Sequence, residues 1–249
     1  MLHLAAFSMT IQAAPAPLTH TSPLEFINSG FENASPLWYD FAEDGVIQVH
    51  LIYDLERSSP NRAAGHFHFQ LHAPAGSKLT LELKNLDNVW NSQPSPISRE
   101  LKACVISEDG RNWTSIPLET LPTNRTRLTL TMPGPSLYVA RVEPYRLSDL
   151  EKLLSSIRAN PLVEIMAIDK TVAGRELEII RLGTPSAPYR VFLRARAHPW
   201  EAGGNWVVEG LIGRLLRDDA EAKKFLREFC IWIMPMANKD GVAMGRTRF

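Results

Sequence analysis

The stretch that decides the fold is Arg194-Ala195-Arg196-Ala197-His198-Pro199-Trp200-Glu201. An apolar run precedes it and an amphipathic segment over residues 202–216 follows it, which is typical of a strand followed by a helix. In open α/β sheets, ligands bind just beyond the carboxyl ends of the strands. An imidazole and a carboxylate are donors that Zn²⁺ accepts, and a catalytic zinc needs three protein ligands. The stretch offers two, His198 and Glu201, although their spacing also fits a plain strand end with an acidic residue at a helix N-terminus.

Composition limits the class of protein. A chain of 249 residues can form one large domain or two ordinary ones. Hydrophobic residues make up 45% and charged residues 22%, which is typical of a globular protein with a real core. The formal net charge of +0 argues against a nucleic-acid partner. No apolar segment reaches the length that spans a membrane, so we expect no membrane partner either.

The two cysteines, Cys104 and Cys230, lie far apart and form no Cys-x-x-Cys pair. This spacing argues against a disulfide scaffold and against a thiolate metal site. We expect both to be small buried hydrophobic residues, with a single bridge as the alternative.

Residues 1–22 have two interpretations. Leu2–Ile11 is a short apolar run followed by Ala13-Ala14-Pro15-Ala16, as in a signal peptide and its cleavage zone. However, no Lys or Arg precedes the run, and Ser8 and Thr10 interrupt it, as in a disordered tail. The cytoplasm is therefore favoured as the location, with the periplasm or secretion as alternatives.

Residues 23–145 are predicted to form an antiparallel β-sandwich domain. Period-two segments lie at 46–52, 66–71, 79–83 and 127–132, and turn sequences lie at 74–76, 109–112 and 133–135. Four histidines in this part suggest either a metal cluster or an exposed sheet face: His50, His66, His68 and His72. Their period-two placement favours the exposed face.

From residue 146 onward the pattern predicts an α/β domain. Ser148 is a suitable N-cap for a helix with apolar residues at helical spacing. Further segments follow in order: strands at 163–169, 176–182 and 189–197, helices at 202–217 and 220–228, and a strand at 229–234. A strand, helix and strand in this order indicate a right-handed βαβ unit. The domain should therefore have a mixed, largely parallel sheet.

A polar loop follows the last strand. Asn238-Lys239-Asp240-Gly241 consists of ordinary turn formers, and a turn is its simplest interpretation. The alternative is a loop that brings Arg246 and Arg248 beside His198, where an arginine could hold a carboxylate or polarise a carbonyl. Arg175, in the turn Ala173-Gly174-Arg175, is either a hairpin residue or a helper at the rim of the site.

Three motifs in order resemble the zinc metallocarboxypeptidases, and most of all their cytosolic carboxypeptidase branch. They are Gly174-Arg175-Glu176, residues 195–201, and residues 235–242 with Gly245 and Arg248. In that branch a β-sandwich domain precedes the peptidase domain and joins it through a segment similar to residues 140–145. The resemblance covers residues 24–249 and implies a β-sandwich over 23–145 and the N-terminal part of a peptidase domain over 146–249.

The resemblance also implies roles. His198 and Glu201 match two ligands of one Zn²⁺, and Arg248 matches the arginine that polarises the scissile carbonyl. Asn238 and Arg175 are the further substrate-binding candidates. The implied activity is hydrolysis of C-terminal or branch amino acids from peptide or protein substrates.

In relatives the third zinc ligand and the general base lie beyond this loop, so the resemblance implies an N-terminal fragment that is inactive alone. The alternative is a non-catalytic binding protein built on the β-sandwich, with a degenerate peptidase domain. Two positions depart from the family pattern: Lys239 replaces a proline, and Trp200 stands where many relatives carry a small residue.

Overall fold

The computed structural model describes residues 22–55 and 60–248, except for the side chain of Leu55. The predicted tail or signal peptide therefore lies almost wholly outside the described residues. Within the described part of the chain, no helix combines the length and apolar character needed to cross a membrane.

The N-terminal region, residues 22–145, consists of short strands. They are β1 (Phe26–Asn28), β2 (Leu37–Phe41), β3 (Ile47–Leu51), β4 (Asp54–Leu55), β5 (Arg62–Ala63), β6 (His68–His72), β7 (Lys78–Lys84), β8 (Val89–Trp90), β9 (Gln93–Pro94), β10 (Ala103–Ser107), β11 (Thr114–Pro117), β12 (Glu119–Leu121), β13 (Arg125–Thr131) and β14 (Ser136–Ala140). Two five-stranded sheets have the orders β1-β6-β14-β10-β11 and β12-β13-β7-β3-β2. A small sheet, defined here as β4, β5, β8 and β9, has the order β4-β5-β8-β9.

Alternating side chains from both five-stranded sheets form one apolar core. Ile47, Val49 and Leu51 of β3 are each at most 1% exposed, and they share the core with Phe69 and Leu71 of β6. The prediction of purely antiparallel pairing is wrong at one place, because β3 pairs with β7 in parallel. The chain between these two strands is long and contains β4 to β6, so it can make the crossover that a parallel pair needs.

The exposed-face prediction is wrong for two of the four histidines. His66 is 6% exposed and His68 1%, because both pack beneath Asn33. The Asn33 backbone oxygen lies 3.3 Å from His66 Nε2, and its side-chain oxygen lies 3.3 Å from His68 Nδ1. In the described ranges, no three His, Cys, Asp or Glu side chains are grouped as a metal site, so a histidine metal cluster is not formed there either.

The C-terminal region, residues 146–248, is of the α/β type. Its elements are α1 (Leu147–Ile157), β15 (Val163–Lys170), β16 (Glu176–Leu182), β17 (Tyr189–Arg194), α2 (Gly203–Leu215), α3 (Ala220–Glu228), β18 (Phe229–Met234) and α4 (Lys239–Ala243). The sheet order is β15-β16-β18-β17. Among these strands only β17 and β18 pair in parallel, so the prediction of a largely parallel sheet is wrong although the sheet is mixed.

Two local predictions had different outcomes. Ser148 is not the N-cap of α1, because the helix begins at Leu147 and its N-cap is Arg146. The Arg146 backbone N–H donates to the Asp149 carboxylate at 2.9 Å. The Ser148 N–H instead donates to Glu32 of the N-terminal region at 3.0 Å. Cys104 and Cys230 are both buried and free, as predicted.

Candidate metal centre

The sheet brings the predicted site residues to one edge. β17 and β18 run parallel with Arg194 opposite Met234, so their carboxyl ends lie side by side. The segment after β17 carries His198, and the segment after β18 carries the loop from Asn238 to Arg248. The parallel pairing of β17 and β18 therefore brings these two segments to the same edge of the sheet.

A buried network shapes the turn between β17 and α2. Arg196 adopts a left-handed backbone with φ of 55°, so the strand ends at Arg194 and not at Ala197 as predicted. Arg196 Nε donates to the Pro199 oxygen at 2.6 Å, and Nη1 donates to Asn205 Oδ1 at 2.9 Å. Burial lowers the pKa of Arg196 to about 10, which still leaves it charged at neutral pH. The sequence gives one weak signal for this role, an arginine inside an apolar strand end.

The two candidate zinc ligands face each other across this turn. The Glu201 N–H donates to the His198 oxygen at 3.2 Å, so Glu201 lies in a tight turn before α2 and not in the first helical turn as predicted. His198 Nδ1 and Glu201 Oε1 are 2.9 Å apart, and both side chains are partly exposed. Two donors therefore converge on the solvent-accessible edge of the sheet.

Arg248 reaches the same place from the far loop. Its Nη1 donates to His198 Nε2 at 3.0 Å, which leaves the imidazole proton on Nδ1, facing Glu201. The guanidinium lies 4.3 Å from the ring centre of Trp90 and 5.7 Å from that of Trp200. The structure thus brings His198, Glu201 and Arg248 together.

Trp200 contacts the N-terminal region at the point where Arg248 reaches His198. Its ring packs against the apolar core of the N-terminal region, and the Arg141 guanidinium covers it at 4.2 Å. The side chain that departs from the family pattern thus occupies the boundary between the two regions, beside Arg248.

Asn238 and Arg175 contact neighbouring backbone and side chains. Asn238 Oδ1 caps α4 by accepting the Gly241 N–H at 2.9 Å, and its backbone N–H donates to the Arg196 oxygen at 3.0 Å. Arg175 Nη1 lies 2.6 Å from Asp240 Oδ1, so it joins the β15–β16 hairpin to α4. Their substrate-binding roles stay predictions.

Residues 150–249 match the family model described as zinc carboxypeptidase. This region is therefore similar to that family. Among curated relatives, cytosolic carboxypeptidase 3 of Mus musculus is 31% identical over 120 residues, which are 45% of this chain and 12% of the relative. Human cytosolic carboxypeptidase 2 is 30% identical over 122 residues, covering 45% of this chain and 14% of that protein. The chain therefore spans a small part of these relatives.

Solved structures support a carboxypeptidase-like fold. A putative carboxypeptidase A from Shewanella denitrificans superposes with a TM-score of 0.79 at 24% identity, covering 89% of this chain and 57% of that one. A metallo-carboxypeptidase from Pseudomonas aeruginosa, solved with (2-guanidinoethylmercapto)succinic acid, gives 0.77 at 25% identity, covering 89% and 58%. The similarity extends over both regions of the chain, and the chain spans less than two thirds of each neighbour.

The matched family implies Zn²⁺, and the donor set of residues 150–249 can be compared with what the ion needs. His198 and Glu201 are of the right types, and their Nδ1 and Oε1 atoms lie 2.9 Å apart, so zinc would take the place of the proton that Nδ1 carries. The described residues supply no third His, Cys, Asp or Glu to the group. The two donors fit a zinc site in kind, and they account for two of the three ligands of a catalytic one.

Proposed function

We propose that this chain contributes two zinc ligands, His198 and Glu201, and an oxyanion-binding arginine, Arg248, to a zinc metallocarboxypeptidase. Such an enzyme removes C-terminal or branch amino acids from peptides or proteins. The observation that carries the proposal is the contact of one imidazole with both partners, at 2.9 Å to Glu201 and 3.0 Å to Arg248. The names of the relatives favour a cytoplasmic location, which we include in the proposal.

The proposal includes a two-domain organisation. Residues 23–145 would be a β-sandwich domain, and residues 146–249 part of the peptidase domain. The supporting observation is that the apolar core divides into two clusters, one for each region.

Each residue has a definite task in this mechanism. When bound, zinc acts as a Lewis acid and lowers the pKa of a water molecule. His198 and Glu201 would hold the ion through one neutral nitrogen and one carboxylate. Arg248 is permanently charged, so it can donate hydrogen bonds to a carbonyl oxygen that gains negative charge. The rings of Trp90 and Trp200 lie 4.3 and 5.7 Å from its guanidinium, where they can hold it in place by cation–π attraction.

Zinc titration of the 249-residue chain tests the ligand assignment. Complete protein sites bind zinc with about 10–16 kcal/mol at neutral pH. With two ligands we expect a dissociation constant of about micromolar or weaker. His198→Ala should abolish this binding, whereas His72→Ala, which changes a histidine in β6, should leave it intact. Equal binding by wild type and His198→Ala would contradict the assignment.

We also expect the chain as given to hydrolyse no peptide with a free C-terminus, since two ligands leave the site incomplete. Chelator-sensitive hydrolysis that is lost in His198→Ala would contradict this expectation.

The number of candidate zinc ligands also favours a second candidate function, that of a non-catalytic binding protein with a degenerate peptidase domain. The described residues group two candidate ligands at the site and no third. A 249-residue chain that is monomeric, unfolds cooperatively and binds no zinc would support this second function.

A further inference from the structure

We propose that the small sheet of the N-terminal region positions Arg248, with Asp54 and Trp90 as the positioning residues. The inference rests on the proposed role of Arg248 as the oxyanion-binding arginine. It extends that role by assigning the placement of the guanidinium to a different region of the chain, more than 150 residues away in sequence.

Asp54 holds the backbone at Arg248. This residue, on β4, is 9% exposed, and its Oδ2 accepts the backbone N–H groups of Thr247, at 2.8 Å, and of Arg248. Arg246 Nη1 lies 3.9 Å from Oδ1. Hydrogen bonds from two consecutive amides to one carboxylate are charge-assisted and fix the direction of the chain there. Asp54 thus determines where the Arg248 side chain starts.

Trp90 holds the other end of the same side chain. The Arg248 guanidinium lies over its ring at 4.3 Å, closer than over the ring of Trp200 at 5.7 Å. A cation over an indole face is attracted by the ring, and the attraction grows where water is excluded. Because Nη1 simultaneously contacts His198, the ring of Trp90 supports the guanidinium at the candidate metal centre.

The small sheet keeps Asp54 and Trp90 at a fixed separation. β5 lies between β4 and β8, pairing Asp54 with Ala63 and Arg62 with Val89. The side chain of Asn88, next to β8, accepts the N–H of Ala64, next to β5, at 2.8 Å. This hydrogen bond is a second link between β5 and β8. The backbone anchor and the aromatic support of Arg248 therefore belong to one pleated unit.

A second contact from the N-terminal region secures the loop. The His66 N–H, in a buried position, donates to Thr247 Oγ1 at 3.1 Å. Thr247 is itself 3% exposed, so the residue before Arg248 is enclosed between the two regions. The arginine loop consequently depends on the N-terminal region for its conformation, and the site is incomplete without that region.

The test is NMR spectroscopy with hydrogen exchange on the 249-residue chain and its variants, since neither measurement needs metal or hydrolysis. The variants are Asp54→Asn, Trp90→Leu and Trp90→Phe. The matched controls lie on β2, outside the small sheet: Asp40→Asn and Trp38→Leu. The readouts are the Nε–Hε signal of Arg248, which the neighbouring indole rings shift, and the exchange rates of the Arg248 and Leu81 amides.

We expect Asp54→Asn to speed exchange of the Arg248 amide on the order of tenfold while Leu81, in the core strand β7, keeps its rate. Trp90→Leu should move the Arg248 side-chain signal towards its random-coil position, and Trp90→Phe should restore part of the shift because a smaller ring attracts the cation less. The two controls should leave both readouts unchanged.

Three outcomes would overturn the proposal. They are an unchanged Arg248 side-chain signal in Trp90→Leu, an unchanged Arg248 amide in a folded Asp54→Asn, and equal acceleration of Arg248 and Leu81, which would mean general loosening of the N-terminal region. If Asp54→Asn does not fold, the Trp90 variants decide. Failure of the zinc titration would contradict the proposed function and leave these readouts unaffected, so the two failures are distinguishable.

Discussion

His66 and His68 are buried imidazoles that make stability depend on pH. Burial, with the charges of Arg196 and Arg141, lowers the pKa of His66 to about 4. Burial and the neighbouring His66 lower the pKa of His68 to about 3. An unfolded histidine titrates near 6.5, so between about pH 6.5 and pH 4 the unfolded chain binds more protons than the folded one.

The stability from these two residues is therefore fully present above about pH 7 and decreases as the pH falls towards 4. We expect a loss of about 3 kcal/mol for His66 alone across that range. Urea unfolding at pH 7.5, 6, 5 and 4 measures it, and a His66→Gln, His68→Gln double variant should show a flatter pH dependence than wild type. An identical dependence in the double variant would contradict the assignment.

Single residues differ in how well the sequence reveals them. His198, Glu201 and Arg248 stand in motifs with a definite spacing, and the structure brings them into contact. Asp54 and Trp90 have no such signal, because they act across the boundary between two regions that are distant in sequence. The burial of His66 and His68 was missed for the same reason, since the Asn33 and Thr247 contacts are long-range.

At the scale of elements, the start of α4 carries a buried ion pair. Lys239 contacts Glu178 of β16 through its Nζ, and their side chains are 9% and 13% exposed. Removing one partner leaves a buried charge without compensation. We expect Lys239→Met or Glu178→Leu alone to destabilise the fold by about 3 kcal/mol.

The double variant Lys239→Met, Glu178→Leu should recover most of that loss, because an apolar pair of similar volume has no charge to desolvate. Urea unfolding of the four proteins gives the coupling energy between the two positions. Additive effects of the two single changes would mean that the pair is not coupled.

Several elements of the C-terminal region were predicted well. β16, α3 and β18 have the predicted bounds: β16 ends just before Gly183, and the polar helix α3 gives way directly to the apolar run of β18. Helix α2 is three residues shorter than predicted, and β17 ends early because Arg196 takes a left-handed backbone. Strand direction was predicted less well: the parallel β3–β7 pair and the antiparallel pairs of β16 depend on pairing partners, which period alone does not specify.

At the scale of the whole molecule, the two regions meet through backbone as well as side chains. The Asn33 side-chain amide donates to the Val242 oxygen at 2.9 Å, and the Asn33 N–H lies 3.4 Å from the Ala243 oxygen. Gly245 lies two residues after Ala243 and has a φ of +59°. A Cβ there would lie 2.0 Å from the Ala34 oxygen and 2.5 Å from the Ala34 carbonyl carbon, so the sequence needs glycine for the regions to approach.

Gly245→Ala should therefore weaken the contact between the regions. A left-handed backbone costs an alanine about 1–2 kcal/mol, and the clash with Ala34 adds about 1–3 kcal/mol. Gly174→Ala is the matched control: it also has a positive φ, of +80°, but a Cβ there meets nothing within 4 Å. It should show the backbone cost alone. The urea midpoints of the two variants separate the backbone cost from the cost of the clash. Equal losses of stability would mean that the structure relieves the clash with Ala34 at no cost in free energy. A larger loss in Gly245→Ala would establish that the regions are held together at the loop that carries Arg248.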